Sequence, residues 1–253
     1  MCRGRALVWD IGPRQSFGRW ADGYRALGCP YIEQLVLSHT DEDHRGGLAL
    51  LDSGTAFSGL VVVSVYEDTA LIRRCAGAWT PRLRFRTIAA GDTLGGLDAG
   101  LVQCLWPPRG SGTAIPVPAD ERNSLSLVFR VAVGESSVLI TSDIDSAAEW
   151  GLVAECGSGL ASDIVVVPHH GSADAAFRPF YGHVMPVWAV VSCAAQNDFG
   201  HPSDAVVDLL FGIGVGLLST ATEGHVCFRS NGVYWTRTPV TVGPMSGFVV
   251  GTE

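Results

Sequence analysis

The sequence predicts an α/β fold in which helices cover the outer faces of the sheets. Short runs rich in Val, Ile and Leu recur along the chain between Gly, Pro, Asp or Ser, which is typical of strands. These runs are apolar along their whole length, which indicates strands covered on both faces, and helical patterns lie between them. The 253 residues, 47% of them hydrophobic, can bury one core, and we predict a single domain over residues 1–253.

The elements follow from the same patterns. The predicted strands are residues 5–9, 34–37, 60–65, 126–133, 137–141, 163–167, 188–192, 216–219 and 225–230. The predicted helices are residues 17–27, 68–78, 144–156 and 202–211. The Pro-rich segment 107–118 is predicted to be a functional loop at a rim.

Charge and cysteine usage exclude several classes of protein. A formal net charge of -8 argues against nucleic-acid binding by a broad basic surface, although a local Arg-lined groove remains compatible with it. The seven cysteines form no Cys-x-x-Cys pair, so a disulfide framework and a Cys-rich zinc site are both disfavoured. The start lacks the apolar core of a signal peptide, and the longest apolar region is too short to span a bilayer. The chain is therefore predicted to be cytoplasmic, with no membrane segment.

One short motif carries most of the functional information. His39, Asp41, Asp43 and His44 lie within the run Ser-His-Thr-Asp-Glu-Asp-His at 38–44, directly after an apolar strand. So many polar groups at the end of a buried strand would cost several kcal/mol unless a cation compensates them. A solvated acidic turn with two incidental histidines is the alternative, and the motif favours a metal site.

Other predicted strands also end in polar side chains. Asp143 follows residues 137–141; alone it would be a helix N-cap, but beside the first motif a carboxylate that bridges two cations explains it better. His169 and His170 follow another strand, and since adjacent side chains point different ways, only one of them is expected to bind a given metal.

Two further positions are less specific. His201 lies in the loop after the strand at 188–192 and is either a pocket residue or a residue at a helix start. Asn123 precedes the strand at 126–133 and is either part of a turn or part of the same pocket.

The number of candidate donors predicts two cations. A structural zinc site is closed at four ligands, and six donors exceed that number. The six donors suit two divalent ions that share Asp143 as a ligand. Two such ions together lower the pKa of a water molecule that bridges them. Carboxylate-rich ligation makes Mn as suitable as Zn. The six donors are His39, Asp41, Asp43, His44, Asp143 and one of His169 and His170.

Taken together and in this order, the motifs resemble the metallo-β-lactamase superfamily, and more narrowly the soluble C-terminal hydrolase domain of ComEC-type DNA-uptake (competence) proteins. The matching pieces cover nearly the whole chain. They are DIGP at 10–13, SHTDEDHRGGL at 38–48, RNSLSLVF at 122–129, ITSDI at 140–144, VVVPHHGS at 165–172, NDFGHP at 197–202 and STATEGHVCF at 219–228.

The resemblance implies a four-layer αββα sandwich and a two-metal hydrolase, with a phosphodiester, expected to be single-stranded DNA, as substrate for the closest relatives. The activity implied is attack by a metal-bound hydroxide, with catalytic roles for Asp43, His170 and His201. Position by position, it assigns His39, Asp41 and Asp143 to one metal, assigns Asp43, His44, Asp143 and His169 to the other, and places His170, Ser172, Asn123 and His201 along the substrate pocket.

The chain departs from the family pattern at five points. Asp41 stands where many superfamily members have a second His, which the narrower family replaces by Asp, and no His lies between His44 and His169, where a separate ligand is usual. Ser142 replaces the usual Gly before the bridging Asp. The first strand of the fold is expected to be missing before Asp10. The membrane channel of full-length uptake proteins is absent, so DNA transport is not implied.

Two alternatives remain beside a phosphodiesterase or nuclease. The same metal chemistry hydrolyses small esters, lactones or thioesters; the acidic balance of the chain favours such a substrate, whereas the Asp-rich ligand set favours phosphate. A binding protein with an impaired metal site, working with an unknown protein partner, is the other alternative, because one usual ligand is missing. The sequence does not indicate an oligomeric state.

Overall fold

The structure is a computed structural model and describes residues 5–28, 31–51, 56–95, 100–110, 122–239 and 247–252. The strands are β1 Arg5–Trp9, β2 Tyr31–Val36, β3 Leu60–Ser64, β4 Arg84–Ile88, β5 Thr93–Leu94, β6 Gly100–Trp106, β7 Val128–Val133, β8 Ser136–Ile140, β9 Ile164–Val166, β10 Trp188–Val191, β11 Gly216–Ser219, β12 His225–Ser230, β13 Trp235–Thr238 and β14 Gly247–Thr252. The α-helices are α1 Phe17–Ala26, α2 Glu42–Arg45, α3 Thr69–Cys75, α4 Ser146–Cys156, α5 Arg178–Val184, α6 Asp204–Gly212 and α7 Thr220–Glu223.

The strands form three sheets. The first has the order β1-β2-β3-β4, and all its neighbours are parallel. The second has the order β11-β10-β9-β8-β7-β6-β5, parallel from β8 to β11 and antiparallel from β5 to β8. A third sheet, β13-β12-β14, is built from the end of the chain. Because the strands that carry the motifs are parallel neighbours within each main sheet, their carboxyl ends meet at one edge.

Three apolar clusters divide the molecule into four layers. Val62 of β3 packs between the two main sheets together with Phe129 of β7. Val61 and Val63 point to the other face of the first sheet, toward the side covered by α1 and α3. A third cluster fills the space between the second sheet and α4, α5 and α6. Burying each Val contributes about 1.5–3 kcal/mol, so a strand that is apolar on both faces is most stable when both faces are covered. Each sheet is covered by the other sheet on one face and by helices on the other, which gives the layer order helix, sheet, sheet, helix. The predicted αββα class is confirmed.

The predicted strands agree closely with the observed ones. All nine predicted runs correspond to strands, and β1, β11 and β12 have the predicted ends. The sequence patterns missed β5, β6, β13 and β14, and they also missed β4, whose exposed Arg84 and Arg86 interrupt the apolar run. Such charged residues are typical of edge strands, because they discourage pairing with another chain.

The four predicted helices differ from α1, α3, α4 and α6 mainly at their ends, and the patterns missed the short helices α2, α5 and α7. The helix expected over 68–78 ends at Cys75, since a tighter 3-10 turn follows and Gly77 adopts a φ of 55°. The Pro-rich loop predicted at 107–118 lies largely outside the described residues. The strand expected to be missing before Asp10 stays a prediction, as does the division of the chain into domains. None of the helices within the described ranges has both the length and the apolar character needed to cross a bilayer.

Candidate metal centre

Four donor side chains converge at the shared edge of the two main sheets. One ligand atom each from Asp43, His44, Asp143 and His170 lies within 4.8 Å of the other three. These residues come from the loops after β2, β8 and β9, which are separated by long stretches of sequence. Backbone hydrogen bonds join these loops to one another and to their neighbours. They run from Ile11 N to His44 O (2.8 Å), from Leu127 N to Ser38 O (3.0 Å), from His169 N to Ser142 O (3.0 Å) and from Ser203 N to Gly171 O (2.8 Å).

The first motif folds into the single turn of α2, with Asp41 at its N-cap position. This turn buries His44, whose side chain is 6% exposed, and leaves the Asp43 side chain 52% exposed. The two glycines after it are required by close packing. A Cβ on Gly47 would lie 2.6 Å from the carbonyl oxygen of Ile11. Gly46-Gly47 therefore lets the turn sit directly on the end of β1.

Asp10 orients His44. The Nδ1 of His44 lies 2.8 Å from Asp10 Oδ2, and Asp10 also accepts hydrogen bonds from the N–H and the hydroxyl of Ser38, both at 2.8 Å. With Nδ1 donating to this carboxylate, the other ring nitrogen, Nε2, faces Asp143 Oδ2 at 3.1 Å. A histidine that binds a metal through one nitrogen typically donates its other N–H in this way.

His170, rather than His169, faces the other donors. Its Nδ1 donates to the carbonyl oxygen of Ser192 at 2.8 Å. Its Nε2 lies 3.4 Å from Asp143 Oδ2 and 3.5 Å from Asp43 Oδ2, at the outer limit of a hydrogen bond. The two histidines diverge because both have φ near 50° (49° and 53°), a left-handed turn that is uncommon outside glycine.

His169 belongs to a separate group on the same rim. Its Nδ1 lies 3.3 Å from Asp174 Oδ2, and its Nε2 lies 3.4 Å from Asn123 Nδ2. Its ring centroid is 6.2 Å from that of His201. Ser172 lies in the turn between the two histidines and Asp174, where its N–H donates to the His169 carbonyl oxygen. The structure thus brings His169, His201 and Asn123 together beside the donor group.

The structure separates the two roles considered for Asp143. Asp145, not Asp143, caps α4, since its Oδ1 accepts from the N–H of Ala148 at 2.9 Å. Asp143 is therefore free to face the histidines while 4% exposed. Ser142 before it has a φ of 53°, which explains why Gly is usual in the family at this position. The Ser142 hydroxyl donates to Leu127 O at 2.8 Å, a contact that glycine would lack.

His39 and Asp41 form a looser pair beside this group. The His39 ring is fully buried and lies 4.0 Å from the His44 ring, centroid to centroid. Its Nε2 has no hydrogen-bond partner within the described part of the chain and lies 3.7 Å from Asp41 Oδ2. Burial lowers the pKa of His39, so the ring is held neutral and its lone pair is available. Asp41 is 44% exposed and lies 3.7 Å from Arg122.

Strong electrostatic coupling ties the buried donors together. Burial would raise the pKa of Asp143, but His44 and His170 hold that pKa well below its usual value. Burial would lower the pKa of His170, but Asp143 and Asp43 raise it to about 10. The same competition, with Asp143 and Asp10 as the carboxylates, holds the pKa of His44 well above its usual value. The group therefore requires positive charge among its carboxylates, whether protons or a metal supply it.

These observations fit divalent cations. A buried ring nitrogen of His39 has no partner among the described residues, and His170 Nε2 has none of normal length. Both nitrogens lie beside carboxylates, and unpaired buried polar atoms of this kind are rare without a ligand. Imidazole suits Zn and carboxylate suits Mn, so the mixed donor set accommodates either.

The sequence patterns did not assign roles to three residues of this region. Asp10 was part of a matching motif, and its position at the end of β1, as a polar residue after an apolar strand, was the signal that could have identified it. Arg122 lay next to a candidate residue, Asn123. Phe199 lay within the matching motif NDFGHP, but the motif gave it no role, because an exposed aromatic ring in a loop can be recognised only from its surroundings.

Comparisons with known proteins agree with the motifs. No protein-family model matches the chain. The chain is 28% identical to "Competence protein ComA" of Neisseria gonorrhoeae over 207 residues, which are 80% of this chain and 26% of that protein. It is 27% identical to "ComE operon protein 3" of Bacillus subtilis (strain 168) over 208 residues, or 81% of this chain and 25% of that protein. The chain therefore spans about a quarter of the length of these relatives.

Among solved structures, the chain is similar to Tm1679, a metal-dependent hydrolase of the β-lactamase superfamily. The TM-score is 0.54 at 14% identity, with 84% of this chain and 85% of that chain covered. At this identity the likeness concerns the fold. The resemblance that the motifs indicated is confirmed by the shared fold and by the sequence similarity to competence proteins.

Proposed function

We propose that this chain, which has the metallo-β-lactamase fold and is similar in sequence to competence proteins, is a two-metal hydrolase of phosphodiesters, with single-stranded DNA or a related molecule as substrate. The observation that carries the proposal is the convergence of Asp43, His44, Asp143 and His170 within 4.8 Å. The coupled charges of this group and the unpaired nitrogen of His39 support it.

The donors divide into two positions that share Asp143. We assign Asp43, His44, Asp143 and His170 to the first, which we call the inner position. We assign His39, Asp41 and Asp143 to the second, the outer position. Two bound divalent ions would lower the pKa of a shared water and offset negative charge on the phosphate. His170 thereby takes the ligand role that the resemblance gave to His169.

The remaining polar residues of the rim are then free to bind substrate. His201 lies beside His169 and can donate to phosphate oxygens or to a leaving oxygen. Asn123 holds His169 and offers a further donor. Asp10 and the carbonyl oxygen of Ser192 fix the rings of His44 and His170, so that the ligand nitrogens keep one direction.

Phosphate is favoured over a small ester by the donors and by the relatives. Three carboxylates within one site suit the hard cations that bind phosphate oxygens. The relatives are named for competence, which supports a nucleic-acid substrate, although the chain spans only a quarter of them.

The test combines metal analysis with cleavage. The purified chain is loaded with Mn or Zn, the bound metal is counted, and cleavage of a labelled single-stranded oligonucleotide and of bis-p-nitrophenyl phosphate is followed. We expect two cations per chain and cleavage of both substrates. Asp43→Ala is expected to lower the rate by about a hundredfold or more, since loss of a ligand exceeds the effect of losing a residue behind it. Asp22→Ala, an exposed carboxylate on α1 paired with Arg25, is the matched control and keeps full activity.

Three outcomes would contradict the proposal. Cleavage that survives Asp43→Ala would come from a contaminant. A chain that binds no cation would be a binding protein. Hydrolysis of lactones or thioesters without hydrolysis of phosphodiesters would identify the small-molecule alternative.

A further inference from the structure

An exposed aromatic ring is held on the rim of the candidate centre. Phe199 lies in the loop between β10 and α6, and 81% of its surface is exposed. The loop is closed by Asn197, whose side chain accepts from the N–H of His201 at 2.8 Å and donates to the carbonyl oxygens of His201 and Ala194. A side-chain clamp of this kind fixes the loop as a turn, so the exposure of Phe199 is a property of a defined conformation.

Phe199 stacks on His201 and leaves its other face to solvent. The two rings are nearly parallel, with an interplanar angle of 15° and centroids 5.6 Å apart. His201 in turn lies beside His169, which follows directly on the strand that leads to the donor group. The Nδ1 of His201 is buried and has no hydrogen-bond partner among the residues that the structure describes. A flat apolar surface and an unpaired polar atom thus lie together, next to the place proposed for the phosphate.

We propose that Phe199 and His201 form a stacking platform for one unpaired nucleobase of the substrate, an inference that rests on the proposed phosphodiesterase function. Every base has a π-face that can stack on an aromatic ring, and such stacking does not depend on sequence. A base inside a duplex is already stacked on its neighbours, so the platform selects single strands.

The overall charge supports the same conclusion. A chain with a net charge of -8 repels a polyanion, and this charge argues against binding by a broad basic surface. Affinity for a nucleic acid must then come largely from the metal centre and from uncharged contacts. Stacking on Phe199 supplies an uncharged contact that salt screens very little.

The experiment compares two exposed phenylalanines. Phe199→Ala removes the platform, and Phe211→Ala is the matched control, because Phe211 is 86% exposed at the far end of α6. Binding of a short fluorescent oligothymidylate to the intact chain is measured by fluorescence anisotropy in the presence of Ca²⁺. The same measurement is made with a series of oligothymidylates, each of which lacks the base at one position. We expect Phe199→Ala to weaken binding of oligothymidylate by about tenfold, the loss of one stacked base, with Phe211→Ala unchanged.

Two further variants separate ring stacking from simple apolar contact. Phe199→Trp is expected to bind at least as well as the wild type, whereas Phe199→Leu is expected to behave like Phe199→Ala. Removing the base at one position is expected to weaken binding to the wild type but not to Phe199→Ala.

The possible results distinguish this inference from the proposed function. If the wild type cleaves and binds oligothymidylate and Phe199→Ala binds equally well, the platform is wrong while the phosphodiesterase stands. If the wild type neither binds nor cleaves oligonucleotides, both are wrong, and Phe199 serves another contact, such as one with a protein. Equal affinity for single strands and duplexes would also overturn the platform.

Discussion

The inner and outer positions of the candidate centre differ in how closely their donor atoms converge. In the inner position both imidazoles have their far nitrogen tied, His44 to Asp10 and His170 to Ser192. In the outer position His39 is also held, with its Nδ1 3.0 Å from Ser38 Oγ, but its Nε2 has no hydrogen-bond partner within the described residues and lies 3.7 Å from Asp41 Oδ2. Only Asp143 is common to both.

The difference indicates an order of metal binding. Donors that are already converged and oriented lose little freedom when a cation binds, whereas His39 and Asp41 lie 3.7 Å apart and the other oxygen of Asp41 faces Arg122. The usual extra histidine of the fold is missing from the sequence between His44 and His169, so nothing of that type completes the outer position. We therefore expect the inner position to fill first.

The largest expected effect separates two adjacent histidines. His170→Ala is expected to lower metal affinity and phosphodiester cleavage by about a hundredfold or more, because it removes an inner donor. His169→Ala is expected to leave metal affinity unchanged and to affect only the binding of substrate. Calorimetric titration with Zn, followed by cleavage assays on both variants, checks this.

The reverse result, with metal binding lost in His169→Ala and kept in His170→Ala, would restore the ligand assignment that the family resemblance implied. Near-ultraviolet spectra that match the wild type serve as the control for folding of both variants.

The second effect concerns the orientation of His44. Asp10→Asn keeps the size of the side chain but replaces the carboxylate that accepts from Nδ1. The affinity of the inner position is expected to fall about 10–100-fold, as for other residues behind a metal ligand. Competition with a chromophoric chelator measures the change.

Asp163→Asn is the matched control for this second effect, since Asp163 accepts from the N–H of Ser137 at the far end of β8. Equal losses of affinity in the two variants would mean that Asp10 acts on stability alone and not on the metal.

The last effect concerns stability rather than metal affinity, and it tests a buried carboxylate that lacks the positive partners of Asp143. Glu149 on α4 is fully buried, and neither of its carboxyl oxygens has a hydrogen-bond partner among the described residues. Burial, followed by the charges of Asp174 and Asp145, raises its pKa to about 9. Between its ordinary pKa and this value, the folded state holds a proton that the unfolded state has released. Stability is therefore lost as pH rises through that window, by at most about 1.4 kcal/mol per pH unit.

Glu149→Gln removes this dependence. The variant is expected to exceed the wild type in free energy of unfolding by a few kcal/mol at about pH 8 and to differ little at about pH 5. Urea titrations at both values measure it, and Glu155→Gln, exposed on the same helix, is the control. A gain that is equal at both values would show that Glu149 is not protonated in the folded state.

The sequence patterns were sufficient for nine of the fourteen strands of the described residues and for the donor types, and insufficient for the directions in which the donor side chains point. Apolar runs predicted β1, β11 and β12 to the residue, although β1 and β11 are for the most part only partly buried. Which of His169 and His170 faces the donor group depends on the left-handed backbone conformation of both residues, and the local sequence does not indicate that conformation. The sequence did not show that Asp145 caps α4, because the first residue of the helix was predicted two residues too early. That shift is enough to confuse the capping Asp145 with the candidate ligand Asp143.

The backbone bonds between the strand-end loops have a consequence for how such a centre can change. Since main-chain contacts such as those from Leu127 to Ser38 and from His169 to Ser142 fix where each side chain begins, a donor can be exchanged without moving its neighbours. Single substitutions at the strand ends can therefore change the metal ligands, and with them the preferred cation, while the backbone of the fold stays the same.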